Sequence, residues 1–352
     1  MGEQARSPAA PDKAEVAKRL HLIFDWYRGM IDEKTGRLIY IYEPDEDLAI
    51  RDRSPIRDLG SMWDIEVLGR FLKRDELETF AHRSLAHYCS RLIGRQGYAF
   101  LNPDFLGEPS GIAHNAFLLL SLLFSTYSPR EEHIRPLADG VVKQQRRDGS
   151  YKVYFGDEED DGLDLYPGEA MLALMEAFKE TKDARYLESV EKGFSYYKTE
   201  YYERGLVAPR SEVFFANWQS QYCRLLYEAT GRKELKDLVK EYVFTLHDRI
   251  IARGFYKKVE RRPRAQFSVE VACALEGICD ALSMAVSDPR AGPFRDPIRI
   301  ALSYLVEAQC TQGCTAREKG GFGFSLTDRS QRIDIAGHAA SGFMKSIDSG
   351  AI

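Results

Sequence analysis

The sequence predicts an all-α fold in which six pairs of helices, one outer and one inner, close into a ring around a central funnel. Three observations carry this. First, a unit of outer helix, glycine-aromatic loop and inner helix recurs along the chain, with its clearest loop and inner helix at Gln145 to Thr181. Second, the loop glycines Gly36, Gly97, Gly149, Gly205, Gly254 and Gly321 return roughly every fifty to seventy residues, and recurring helix pairs build stacked or closed arrays. Third, one helix of each pair is small or apolar almost all round, whereas its partner alternates apolar residues with Lys, Arg and Glu. The first kind is buried on both sides and the second is half-wet.

The elements follow in order. Residues 1–12, MGEQARSPAAPD, lack an apolar stretch and read as a disordered tail rather than a signal peptide. Residues 13–352 read as one domain. Ala14 to Ile31 places Val16, Leu20, Ile23, Phe24 and Tyr27 on one face of a helix. The alternating run Leu38 to Tyr42 and a charged loop lead to an inner helix, Arg57 to Leu72. In the second unit Asp75 suits an N-cap for a helix reaching Ile93, and Gly111 to Tyr127 is the inner partner. The third starts at Glu131 and ends in the helix Tyr166 to Thr181, where Pro167 fits the first turn. The fourth pairs Asp183–Tyr202 with Val213–Thr230. The fifth pairs Lys233–Ala252 with Phe267–Ala285 through a loop from Gly254, and the sixth pairs Phe294–Thr311 with Ile333–Ile347.

Composition removes several function classes. Of 352 residues, 49 are Lys or Arg and 54 are Asp or Glu, leaving a net charge of -5. Nucleic acid is therefore not the expected partner, because phosphate binding needs a basic face. No apolar run approaches the ~18 residues of a membrane span. Cys89, Cys223, Cys273 and Cys279 lie inside helical patterns and read as buried thiols of a cytoplasmic protein. The acidic run Asp157 to Asp161 reads as a solvated loop.

Six outer-inner pairs joined by glycine-aromatic loops resemble the (α/α)6 toroid. That fold is shared by glycosidases, sugar epimerases, polysaccharide lyases, terpene cyclases and protein prenyltransferases. The loop QRRDGSY, Gln145 to Tyr151, is similar to the terpene-cyclase repeat motif, which implies a tie between helices and not a catalytic role. The resemblance also implies that the loops entering the inner helices line the working end of the funnel.

Polar and aromatic residues do concentrate there. Asp64, His114, Glu169, Asn217 or Gln219, Glu270 and His338 fall in the early turns of six successive inner helices. A charge on an otherwise buried helix is costly unless it is paired or faces a wet cavity. Asp58, Glu212 and Asp334 read equally well as first-turn acids favoured by the helix dipole. Tyr40, Tyr42, Trp63, Tyr151, Tyr166 and Trp218 offer faces on which a sugar can stack, and Arg57, Arg264 and Arg332 can clamp an anionic group. The expected function is acid-base chemistry on an oligosaccharide or anionic sugar. A hydrolase would use Asp64 with Glu169, with Asp164 as a substitute, because glycoside cleavage takes two carboxyls. An epimerase would use His114 and His338 as bases from separate helices.

Two other classes stand beside this one. An isoprenoid cyclase or prenyltransferase predicts an apolar, aromatic-walled cavity. A scaffold predicts a funnel that binds without turnover. Prenyltransferases hold zinc with Asp, Cys and His, and Cys310, Cys314 and His338 make a sparse version of such a set. The Asp-x-Cys pattern is absent, so no cofactor is expected. The expected partner is a small-molecule or oligosaccharide substrate. Oligomeric state is not legible.

Overall fold

A computed structural model describes residues 11–51, 54–285 and 288–352. Most of the expected N-terminal tail, residues 1–10, lies outside the described residues. Asp12 lies inside them, and its side chain accepts from Glu15 N at 2.8 Å to cap the first helix.

The first unit comprises α1 (Lys13–Met30), β1 (Ile41–Glu43), β2 (Leu48–Ile50) and α2 (Pro55–Leu72). The second comprises α3 (Glu78–Cys89), the hairpin β3 (Leu92–Arg95) and β4 (Tyr98–Leu101), a single turn α4 (Pro103–Leu106), and α5 (Ile112–Phe124). The third has α6 (Glu131–Lys143) and α7 (Tyr166–Thr181). The fourth has α8 (Ala184–Tyr196), which runs into a π-helical turn at Tyr197–Tyr202, and then α9 (Glu212–Ala229). The fifth has α10 (Lys233–Ala252), α11 (Phe255–Arg261) and α12 (Ser268–Met284). The sixth has α13 (Ala291–Ala308), β5 (Gln331–Arg332) and α14 (Ile333–Asp348).

Packing follows the two compositions. The inner helices α2, α5, α7, α9, α12 and α14 each touch the next, and α14 touches α2, so the ring closes. The outer helices α1, α3, α6, α8 and α10 each sit against two neighbouring inner helices, and α13 lies against α12 and α14. Burial matches: every residue of α5 from Ile112 to Leu123 is buried, and so is nearly all of α7 from Pro167 to Met175.

The loop glycines turn the chain with positive φ at Gly36, Gly97, Gly149, Gly205 and Gly254. In the sixth unit this work falls to Gly320 (φ 100°) instead of Gly321, and a Cβ at Gly320 would lie 2.0 Å from Leu22 O. Two further local expectations are corrected. The segment after Gly254 forms the short helix α11 instead of a loop, and burial of Tyr256 and Val259 accounts for the ordering. Asp75 is not an N-cap, because α3 starts later, at Glu78 with Leu77 in the cap position.

A three-stranded sheet, order β2-β1-β5, joins the first unit to the last. Ile41 pairs with Arg332 and Tyr42 with Gln331. Trp26 Nε1 donates to Gln331 Oε1 at 2.8 Å, and Tyr27 OH donates to Ile333 O at 2.9 Å. Among the described residues no helix is long and apolar enough to cross a membrane.

Candidate active site

A cavity of about 300 Å³ opens on the ring axis. All six inner helices contribute to its wall, and the lining residues fall mainly in their N-terminal halves. From α2 come Arg57, Trp63 and Asp64, one face of a helix read at steps of three and four. From α7 come Tyr166 and Glu169, from α9 Phe214 and Trp218, and from α5 Phe117. Glu276 belongs to α12, Asp334 and His338 to α14, and Arg332 immediately precedes α14.

Two carboxyls dominate the chemistry. Glu169 is 5% exposed, and among the described residues its Oε2 has no hydrogen-bond partner. Burial raises its pKa to about 8, against the pull of His338 and Arg57. Burial also raises Asp64 to about 8; His338 opposes this, while Glu276 and Asp334 add to it. Asp64 lies flat against α14 at Gly337, where a Cβ would overlap its carboxyl oxygen. Both groups therefore hold a proton at neutral pH and face one cavity.

Opposite them, His338 Nδ1 bonds Glu276 Oε2 at 2.6 Å, and Asn217 Nδ2 donates to the same oxygen at 2.9 Å. Burial disfavours the imidazolium, but Cys273 and Glu276 outweigh it and raise His338 well above the usual imidazole range. The Trp218 ring meets His338 edge-on at 5.7 Å. At the rim, Arg332 Nε donates to Asp334 Oδ1 at 3.0 Å and Arg57 Nε lies 3.5 Å from Asp334 Oδ2. Both guanidinium groups sit over the Tyr40 ring, at 5.1 Å and 5.4 Å. Six helix N-termini add positive potential to the same end.

Of the residues expected at the site, Asp64, Glu169, His338, Arg57, Trp63, Tyr166, Trp218 and Arg332 come together in this wall. Tyr40 supports it from beneath the two arginines. The others lie elsewhere, for identifiable reasons. His114 folds back onto its own helix end, accepting from Gly111 N at 3.1 Å and lying 3.1 Å from Glu108. Asp164 is spent on Tyr201 OH at 2.9 Å and Ala208 N. Tyr151 is fully buried against Ser189, and Tyr42 is buried with its hydroxyl on Asp47. Gln219 accepts from Tyr222 and Tyr242 inside the core. Asn217 sits behind the wall, on Glu276. Arg264 is exposed and Glu270 is half-buried, and neither lines the cavity.

The ambiguous acids divide. Asp58 is structural, accepting from Leu38 N, Arg37 and Tyr88. Glu212 pairs with Arg249 and Arg253. Asp334 both accepts from Ile335 N at its helix start and lines the cavity. In the acidic loop Asp157, Glu158 and Glu159 are exposed, and Asp160 ties Arg146 to Val153 N.

Glu276 is the residue the sequence reading missed. It stands seven residues beyond Val269, two turns along the same inward face, and both line the cavity. The alternative zinc set does not assemble: Cys310 and Cys314 are disulfide-bonded to each other, and His338 instead meets Cys273 and Glu276.

No protein-family model matches the sequence, and no curated protein matches it as a relative. Solved structures do match in fold. A sugar epimerase from a ruminal bacterium superposes with a TM-score of 0.66 at 13% identity, covering 96% of this chain and 99% of that one. An unsaturated glucuronyl hydrolase from Bacillus sp. GL1 gives 0.65 at 14%, covering 96% and 97%. A D-mannose isomerase gives 0.72 at 11%, covering 97% and 99%. The chain has the (α/α)6 toroid fold of these proteins.

Proposed function

We propose that this protein is an acid-base enzyme that cleaves or rearranges an anionic sugar or oligosaccharide held in the ring cavity. One observation carries the reading. Asp64 and Glu169, both lifted to about 8 by burial, face a single aromatic-walled cavity whose rim carries Arg57 and Arg332. A carboxyl that is neutral at pH 7 can deliver a proton to a glycosidic oxygen, and the carboxylate this leaves can then take one from water. Trp63, Tyr166 and Trp218 offer stacking faces. The arginines and the helix N-termini suit a substrate carboxylate. The solved structures of like fold, a sugar epimerase, an unsaturated glucuronyl hydrolase and a D-mannose isomerase, agree with a sugar substrate.

The carboxyl pair is favoured over a two-histidine epimerase because His114 is held outside the cavity. The isoprenoid reading loses ground because the wall carries seven acidic or basic side chains: Arg57, Asp64, Glu169, Glu276, Arg332, Asp334 and His338. The same reading treats residues 13–352 as one domain.

The test is turnover and thermal shift with neutral and uronate-terminated oligosaccharides. Glu169→Gln and Asp64→Asn are expected to cut turnover about 10²- to 10⁴-fold while ligand-induced stabilisation persists. Activity should fall as pH rises through about 8, where the donor loses its proton. Stabilisation by isoprenoid diphosphates with every sugar silent would overturn the reading. A sugar that binds without turnover would leave a binding protein.

A further inference from the structure

Cys273 and Glu276 stand one helical turn apart on α12, and His338 faces them from α14, the inner helix packed beside it. One donor atom from each, a sulfur, a carboxyl oxygen and an imidazole nitrogen, lies within 4.8 Å of the other two. Cys273 and Glu276 are 1% and 2% exposed. Among the described residues this is the one such group of three or more.

We propose that Cys273, Glu276 and His338 form a site for one borderline divalent cation such as Zn²⁺, with the cavity supplying the fourth coordination position. The donor set suits this class of ion. Thiolate and imidazole select zinc-like metals over magnesium or calcium, which take oxygen ligands. Donor atoms around a tetrahedral zinc stand about 3.4–3.6 Å apart, given metal-ligand distances of ~2.0–2.3 Å. The hydrogen-bonded His338–Glu276 contact of 2.6 Å opens by roughly 1 Å to admit the ion.

The surroundings fit as well. Asn217 already donates to Glu276 Oε2, and Gln221 Nε2 donates to Asn217 Oδ1 at 3.2 Å. Hydrogen-bonded carboxyls of this kind are what orient metal ligands. Three protein ligands with one open position is the pattern of a zinc site that works on a bound molecule. Glu276 and His338 line the cavity, and Asp64 and Trp218 belong to the same wall. A thiol nucleophile is the competing use of Cys273, but its side chain does not line the cavity.

This inference is independent of the acid-base reading, since an ion can bind whether or not a sugar is turned over. The test strips the full-length protein with a chelator, reloads it with Zn²⁺ or Co²⁺, and measures metal per chain and the Co²⁺ absorption spectrum. One ion per chain is expected, with a thiolate-to-cobalt charge-transfer band. Cys273→Ser should abolish that band, His338→Gln should abolish stoichiometric binding, and Asn217→Ala should weaken affinity about 10- to 100-fold. Circular dichroism checks that each variant folds, and Cys89→Ser serves as a thiol control. Wild-type protein that takes up no metal overturns the proposal. So does binding that survives His338→Gln, or a charge-transfer band that survives Cys273→Ser.

Discussion

Glu66 shows what a single buried carboxyl costs. It lies on the far side of α2 from Asp64's neighbours in the cavity, in a second hollow with Phe24, Arg70 and Glu78. It is 8% exposed, and among the described residues its Oε1 has no partner. Burial raises its pKa to about 7, with Ser125 opposing and Glu78 assisting. The folded state therefore holds this proton more tightly than the unfolded chain, whose carboxyl titrates at the ordinary value of ~4.3. The stabilisation is full below the unfolded value and drains away as pH rises to about 7. Glu66→Gln removes the titration. Its stabilising effect relative to the wild type should be on the order of 2 kcal/mol larger at pH ~8 than at pH ~5. Urea unfolding at the two pH values reads this directly, and equal differences at both would refute it.

The loop between α6 and α7 shows how a short motif joins whole helices. Gln145 Nε2 donates to Ser189 O at 2.8 Å and to Gly149 O at 3.2 Å, and its Oε1 accepts from Ser189 Oγ at 3.0 Å. Asp148 holds Ser150 through both backbone and hydroxyl. Tyr151 OH lies 2.8 Å from the same Ser189 Oγ. The motif thus stitches the end of α6 to α8 and sits away from the cavity. Gln145→Ala leaves Ser189 short of partners in a half-dry setting and should cost about 1–3 kcal/mol of stability. Ligand-induced thermal shifts should be unchanged, and a loss of ligand response with normal stability would contradict this structural role.

The helices were legible because two signals agree, the glycine punctuation and the contrast between all-round apolar and one-faced helices. The site was legible only in part. Glu169 in the first turn of α7 and Arg332 at the N-cap of α14 carry a helix-start signal that the sequence displays, whereas Asp64 stands in the third turn of α2. Glu276 carries no such signal, because its role depends on helix phase: Glu270, on the same helix, points elsewhere. Likewise Tyr151 and Gln219 carry the right chemistry but face the core, and nothing short of the packing distinguishes an aromatic in the core from one in the funnel.

Across the whole molecule, closure rests on contacts between residues about three hundred positions apart. Trp26 with Gln331, Tyr27 with Ile333 and β1 with β5 bind the first unit to the last, and Arg19 reaches Val306 O at 3.1 Å. Joints of such sequence separation carry the largest loop-closure cost in the fold. Tyr27→Phe removes the hydroxyl that donates to Ile333 O and should cost about 1 kcal/mol in a single cooperative unfolding transition. Two separated transitions would show that closure does not couple the units.

Because the inner ring meets itself at α14 and α2, this architecture has no ends to cap. An open solenoid can lose or gain a repeat by moving its terminal cover. Removing one pair here would leave two bare apolar faces, and adding one would change the curvature of every remaining contact. The number of units is thus an all-or-none property of the sequence. Variation in such a molecule is channelled into the loops, since the cavity wall is built almost wholly from residues of the inner helices.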